Sequence, residues 1–299
     1  MTLIPYDDRD GVIWFDGETV PWREAKIHVL THGLHYASCV FEGQRAYGGK
    51  IFKLREHSER LHKSAEALGF ELRYSVNELD EASREVVAAQ EIADGYVRPV
   101  AWRGSEMMAV SAQHATIHTA IAAWPWPPYF STEARLDGVR LATSKWRRPA
   151  PDTAPVQSKA AGLYMICTLS KHAAEAAGYD DALMLDHRGL IAEATGANIF
   201  LVIDDELHTP TPDCFLDGIT RRTVIELARA RGIEVVERAI PPDELEKAQG
   251  VFLTGTAVEV TPVKEIDGRS FEVGAVIRDL VEDYDRLVHS TEDEAVSAA

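Results

Sequence analysis

The chain has 299 residues, 45% of them hydrophobic and 26% charged, the proportions of an ordinary globular protein with room for one large domain or two medium ones. Its formal net charge of -17 repels phosphate backbones and anionic membranes, which sets nucleic acid aside as a partner. No apolar run approaches the roughly 18 residues that a membrane span needs.

The N-terminal "MTLIPYDDRDG" is acidic where a signal peptide is basic and then apolar. Cys39, Cys167 and Cys214 make neither a disulfide framework nor a zinc spacing, so a soluble cytoplasmic protein is expected. "GVIWFDGETVPW" predicts two short strands joined at Asp16-Gly17. "CVFEGQRAYGGKIFKL" reads the same way across its Gly-Gly pair, and "REHSERLHKSAEAL" has helical periodicity. A second helix is expected over "SVNELDEASREVVAAQ", capped by Ser75 or Asn77. "GYVRPVAWRG" and "ATIHTAIAAWPW" are strand-like. Pro125, Pro127 and Pro128 then introduce a stretch, 129–137, that reads as a linker between a small N-terminal α/β domain, 1–128, and a larger C-terminal one, 138–299.

In the second half "GVRLATSKW" leads through the loop "RRPAPDTAP" to a helix, "AAGLYMICTLSKHAAEAAGY", ending at Gly178. Two strands follow, "DALMLD" and "LIAEATGANIFLVIDDELHTP", turning at His187-Arg188-Gly189. "GITRRTVIELARARGIEVVERAI" is a helix from near Thr220 that Gly232 stops, followed by a strand. "GVFLTGTAVEVTPVKEI" is a strand broken at a Gly-Thr turn, and the terminal "STEDEAVSAA" is expected to fray. Strands arranged in meanders rather than in strict βαβ alternation predict an α+β protein of two lobes.

The common signatures are missing: no GxGxxG after a strand, no GxxxxGK[ST], no HExxH, no GxSxG. The 11 histidines do not fall into a metal-ligand spacing, and His32 and His35, flanking a possible turn, read as structural; no metal is expected. What stands out is Glu193 in "LIAEATGANIFLV". A carboxylate in an apolar, strand-like run either faces water or has a cation waiting for it, because desolvating an unpaired charge is costly.

A cationic pyridine-type cofactor would supply that cation, and it would also need an amine and an anion site. Lys159 in "QSKAAGLYM" is the candidate amine, set among small residues before a helix, against the ordinary fate of a solvated lysine. Tyr164 could bond a ring oxygen or simply be a core aromatic. "GIT", Gly218 to Thr220, opens a helix whose N–H groups, dipole and Thr220 hydroxyl suit an anion, though Thr220 could also be only a cap. "LTGTA" at 253–257 offers a second tight turn. Arg60 in "HSERLHKSA" could add counter-charge or lie on a helix surface.

In "HGLHYASCVFEGQRAY", "SKAAGLY", "EATGANIFLV", "FLDGITRRTVIELARARGIEV" and "LTGTAVEVTP", taken in order, the chain resembles the fold-type IV pyridoxal-phosphate enzymes, most closely the branched-chain amino-acid aminotransferases. The resemblance runs from "GVIWFDGETVPW" to about "TPVKEI". It implies the two-lobed fold-type IV architecture and pyridoxal 5'-phosphate as cofactor. By the same resemblance Lys159 is the Schiff-base lysine and proton shuttle, Glu193 the carboxylate at the pyridinium nitrogen, and Tyr164 the partner of the ring oxygen. Arg60, Gly218, Ile219, Thr220, Gly255 and Thr256 fall at the phosphate and Leu216 on the ring face. Thr195, Gly196 and Asn198 follow along the adjoining wall.

For the substrate, the resemblance puts Phe41, Gly43, Trp126 and Tyr129 around an apolar side chain. Tyr36, Tyr96 and Arg98 orient the carboxylate, with the amides of Thr256 and Ala257 completing its hole. It implies amino acids and 2-oxo acids as small-molecule partners, a ping-pong exchange with 2-oxoglutarate, and a homodimer or an oligomer of dimers in which Tyr36 closes the other subunit's site. "RGSEMMAVSAQHATIH", with Met107 and Met108, departs from the family's glycine-rich form, as do Gln44 and Val258 more mildly; these leave the substrate range open. A relative acting on D-amino acids or (R)-amines would share the cofactor residues, but "YASCVFEG", Arg98 and "GTA" favour the L-branched-chain class. A non-catalytic protein on the same scaffold is the more distant alternative.

Overall fold

The computed structural model describes residues 4–126 and 136–290, so Tyr129, most of the expected linker 129–137 and nearly all of the C-terminal tail lie outside the described residues. Its contacts divide the chain into two units: Met1–Pro128 with Ser158–Leu163, and Tyr129–Gln157 with Tyr164–Ala299.

The first unit runs β1 (Val12–Phe15), β2 (Glu18–Pro21), α1 (His32–Tyr36), β3 (Cys39–Phe41), β4 (Gln44–Tyr47), β5 (Lys50–Ile51), α2 (Leu54–Ala67), α3 (Val76–Ala89), β6 (Gly95–Arg103) and β7 (Ile117–Pro125). Its antiparallel sheet has the order β2-β1-β7-β6-β4-β5, with β3 also paired to β6. The β1–β2 turn is built on Asp16 and Gly17, both at positive φ, as the tightest hairpins require. Ser75, not Asn77, caps α3: its hydroxyl accepts the Glu78 N–H while the Glu78 carboxylate accepts the Ser75 N–H at 2.7 Å, a reciprocal pair that satisfies two otherwise orphaned donors. Both long helices press apolar faces on the sheet, where Val40, Leu61, Leu79, Val86, Val97 and Ile121 make a buried core.

The second unit runs β8 (Val139–Arg148), α4 (Met165–Ala176), β9 (Asp181–Asp186), β10 (Ile191–Ala194), β11 (Asn198–Ile203), β12 (Glu206–Pro210), α5 (Ile219–Ala230), β13 (Val235–Arg238), β14 (Gly250–Gly255), β15 (Glu259–Ile266), β16 (Arg269–Ser270) and α6 (Ala275–His289). Its sheet order is β10-β9-β8-β15-β14-β11-β12-β13, and β10 also pairs with β11. The strands β10, β9, β8, β15, β14 and β11 therefore close into a ring around Leu141, Leu183, Ile199, Leu201, Val251, Leu253 and Val263. Gly178 and Gly232, at φ 83 and 75, take the left-handed positions that end α4 and α5. Among the described residues, no helix is long and apolar enough to cross a membrane.

The structure departs from the sequence expectations in three places. The run "LIAEATGANIFLVIDDELHTP", read as one strand, is three, because Thr195–Ala197 turns the chain and Asp204 and Asp205 adopt φ of 52 and 64. The helix α6 is absent from the expected elements, although Ile277, Leu280, Val281, Tyr284 and Val288 form a buried stripe at helical spacing. Finally, Ser158–Leu163, expected in the second domain, groups with the first unit. Ala160 bridges to Val40, and the Phe41 N–H donates to the Lys159 carbonyl at 3.1 Å.

Candidate active site

In the first unit the chemistry gathers around β3. Lys159 is fixed through its backbone on both sides: the carbonyl takes the Phe41 N–H, and its own N–H donates to Ser64 Oγ at 3.0 Å. The amine Nζ lies 5.2 Å from the centre of the Phe41 ring. On α2, His57, Arg60 and Ser64 are spaced i, i+3, i+7 and so share one face. Glu42, in the break between β3 and β4, is completely buried against that face. Its carboxylate accepts Arg60 Nε at 2.7 Å, Arg60 Nη2 at 2.8 Å and His57 Nδ1 at 2.8 Å.

Burial alone would raise the Glu42 pKa, but Arg60 and His57 together hold it well below the usual carboxylate range. Burial lowers His57, against the pull of Glu42, so at neutral pH a neutral imidazole donates its Nδ1–H. Arg60 is therefore no surface arginine: its side chain is 12% exposed.

Of the residues expected around the substrate, Phe41, Tyr96 and Arg98 meet on this sheet, with Gly43 and Trp126 beside Tyr96. The Arg98 guanidinium lies 4.7 Å over the Phe41 ring and 5.2 Å over the Tyr96 ring, and its Nη2 donates to Tyr96 Oη at 3.2 Å. Tyr96 and Trp126 have ring centres 5.6 Å apart. A side chain at Gly43 would put Cβ 1.9 Å from Tyr96 Oη, so the tyrosine can sit there only over a glycine. Tyr36 stands at the end of α1, 44% exposed and stacked on His32.

In the second unit Glu193 is buried in β10, and the cation its sequence context called for is partly the protein's own. Arg148 Nε, at the end of β8, lies 3.2 Å from Glu193 Oε1, and Asn198 Nδ2 donates to Oε2 at 3.4 Å and to the Leu216 carbonyl at 3.0 Å. Burial, the largest single influence, opposes the charge on Arg148, but Glu193, Cys167, Tyr164 and Cys214 together outweigh it and raise the Arg148 pKa.

Pairing of Glu193 with Asn198 and of Asn198 with Thr254 brings the ends of β10, β11 and β14 side by side. Gly218 stands at the start of α5, where a Cβ would come within 2.2 Å of Asn198 Oδ1. That helix start has no side-chain cap, so the N–H groups of its first turn are offered to a ligand; Ile219 and Thr220 are buried there. Gly255 packs against the Gly196 carbonyl, with Thr256 and exposed Ala257 following in the same turn. Thr195 Oγ1 donates to Asp181 Oδ1 at 2.6 Å, so its hydroxyl is engaged within the sheet. Within the second unit, an uncapped helix start lined by glycine and a buried carboxylate suit the phosphate and ring nitrogen of a phosphorylated pyridine aldehyde, and the anchored amine of the first unit suits its aldehyde, so the residues present fit it group by group.

Sequence reading missed Glu42, His57, Ser64 and Arg148. The first three had a signal, an H-x-x-R-x-x-x-S stripe and an acid inside "CVFEGQRAY"; Arg148, in "KWRRPAP", had none. It also missed that Asp186, His187 and Cys214 come together, with ligand atoms within 4.8 Å of one another. There Asp186 clasps its own turn, accepting the N–H groups of Arg188 and Leu190 and the Arg188 guanidinium, while burial pushes the Cys214 thiol up to about 12. Asp186 thus serves as a clasp for its own turn.

Residues 39–266 match the family described as class IV amino-transferases. A probable branched-chain-amino-acid aminotransferase of Rickettsia felis is 44% identical over 292 residues, covering 96% of this chain and 99% of its own. A branched-chain aminotransferase from Thermoproteus uzoniensis, solved with norvaline, superposes with a TM-score of 0.91 at 38% identity over 97% of this chain and 98% of its own. The branched-chain amino acid aminotransferase of Thermobaculum terrenum, solved in its PLP-form, gives 0.85 at 31% identity over 94% of each chain. With the match spanning Lys159, Glu193 and the start of α5, the chain belongs to the class IV aminotransferases.

Proposed function

We propose that this protein is a pyridoxal-phosphate-dependent transaminase that moves the amino group between the L-branched-chain amino acids leucine, isoleucine and valine and 2-oxoglutarate, in a ping-pong cycle. The observation that carries the reading is Lys159: its peptide is pinned on both sides while its amine reaches over Phe41, the ring on which Arg98 also stacks. When bound, the cofactor supplies the electron sink that makes the substrate Cα proton removable.

Lys159 Nζ would hold the cofactor until the substrate amine displaces it; the freed amine would then take that proton and return it one position along. With the cofactor bound, Glu193, held by Arg148 and Asn198, would meet the ring nitrogen, Tyr164 would hold the ring oxygen, and Leu216 would cover a ring face. Arg60, Gly218, Ile219, Thr220, Gly255 and Thr256 hold the phosphate, with Thr195, Gly196 and Asn198 forming the adjoining wall. Arg98 and Tyr96, with the amides of Thr256 and Ala257, orient the substrate carboxylate. Phe41, Gly43 and Trp126 receive the apolar side chain, as does Tyr129.

The protein works as a homodimer in the cytoplasm. Ile27, Val29, Leu30, Leu34 and Tyr36 form an exposed apolar stretch suited to a second copy, with Tyr36 reaching the other subunit's substrate, and the cysteines are free thiols. The test is the visible spectrum of the purified protein after L-leucine and, separately, D-alanine. Loss of the cofactor band with L-leucine alone is expected. Bleaching by D-alanine alone would move the protein to the D-amino-acid branch, and absence of any band with added pyridoxal phosphate would end the reading.

A further inference from the structure

We infer that Glu42 and His57 are positioning residues that aim Arg60 at the cofactor's phosphate, and so set how strongly the protein prefers the phosphorylated cofactor over its unphosphorylated form. The inference rests on the assignment of Arg60 to the phosphate. Glu42 lies between Phe41 and Gly43, in the break between β3 and β4, with no exposed surface. Its two oxygens take Nε and Nη2 of Arg60, which together are the side edge of the guanidinium plane. Two parallel bonds to one edge fix both the position and the roll of the plane. The end edge, Nη1 with the second Nη2 hydrogen, is then turned away from Glu42.

His57 Nδ1 and the Gly43 N–H, the latter at 3.3 Å, complete the shell around the carboxylate and keep it from rotating. The helix that carries His57 and Arg60 also carries Ser64, whose hydroxyl accepts the Lys159 N–H. One face of α2 thus ties the arginine and the lysine peptide to a common frame within the unit.

Electrostatics alone would not build this. A carboxylate beside Arg60 cancels part of its attraction for a phosphate, and burying that carboxylate is itself costly. What the pair gains is a long, flexible side chain already ordered before the ligand arrives, so less rotamer freedom is lost on binding. The preference for a phosphate then comes from directed donors rather than from a loose positive charge.

The test uses apoprotein, prepared by dialysing the holoenzyme, titrated with pyridoxal phosphate and with pyridoxal while tryptophan fluorescence reports binding. The quantity read is the ratio of the two dissociation constants. Arg60→Gln sets the share of that ratio belonging to the arginine. Glu42→Gln should lower the ratio about tenfold, the low end of what losing an orienting partner does to a ligand-binding group. It should lower it no further in an Arg60→Gln background. His57→Gln should lower it less, and it carries the test should Glu42→Gln fail to fold. A Glu42 variant that weakens both ligands equally, or that raises the ratio, overturns the inference: the pair would then be a structural ion pair or a brake on Arg60. An Arg60→Gln variant that leaves the ratio intact overturns the phosphate assignment beneath it.

Discussion

Each unit of this chain sets a buried carboxylate against an arginine among its candidate site residues, Glu42 with Arg60 and Glu193 with Arg148, and the two pairs are not built alike. Glu42 is wholly enclosed and meets Arg60 and His57 through contacts of 2.7–2.8 Å. Glu193, 7% exposed at the end of a strand, meets Arg148 at 3.2 Å and Asn198 at 3.4 Å. A carboxylate saturated by short, charge-assisted bonds has its geometry fixed for good and serves the groups around it. Contacts as long as those from Glu193 to Arg148 and Asn198 lose less when a better cation arrives. Sequence reading singles out only Glu193; the lengths of the contacts to Arg60 and Arg148 are what set the two acids apart.

The sharpest way to break that contrast is through turnover. Lys159→Ala removes the amine proposed to hold the cofactor and should reduce transamination by at least about 10²–10⁴-fold, with loss of the cofactor band; retained turnover would sink the assignment. Glu193→Gln should leave the band in place yet slow Cα proton removal by about 10²-fold, measured as deuterium exchange from labelled L-leucine. If the rate stays near that of the unaltered protein, Glu193 is scaffold like Glu42 and the contrast is gone.

Stability should sort the two acids the other way. Glu42→Gln leaves Arg60 with a neutral partner inside the first unit and should cost about 3–5 kcal/mol of folding stability in the apoprotein. Glu193→Gln gives up longer contacts and should cost about 1–3 kcal/mol. Urea titrations of both variants decide it, and equal costs would mean that bond length is no guide here.

How much of the fold and site is legible in the sequence follows the range of the forces involved. The hairpin at Asp16-Gly17, the Ser75 cap and the glycine stops at Gly178 and Gly232 depend on neighbouring residues, and short sequence windows carry them. The splitting of one expected strand at Asp204-Asp205 is also local, but the apolar run on either side masks a turn made by two acids at positive φ. Arg148 cannot be found in this way. Its meeting with Glu193 depends on β8, β9 and β10 lying side by side, with β8 and β9 parallel, a pairing set by the whole sheet. The placement of Lys159 on β3 is of the same kind, since one bridge, Val40 to Ala160, joins residues far apart in the chain. Family resemblance names Lys159 and Glu193; it says nothing of what holds them.

The smallest expected effect tests the Glu42 shell by pH. Burial lowers His57 from the usual 6.5, so as pH falls through that value the unfolded chain takes up a proton that the folded chain refuses. The stability contributed is present above pH 6.5 and is lost as pH drops towards the lowered folded value. Glu42 adds a second, more acidic step of the same sign: its pKa is held below the usual 4.5, so its contribution is present above that value and is lost as pH falls further. His57→Gln should therefore flatten the loss of stability just below pH 6.5, by at most about 1.4 kcal/mol per pH unit, and leave the lower step standing. Burial lowers His62 and His208 as well, so they titrate in the same window and the flattening is partial. An unchanged slope in urea denaturation across that range would mean that the imidazole takes up its proton in the folded state too, and that the Glu42 shell is looser than its bond lengths say.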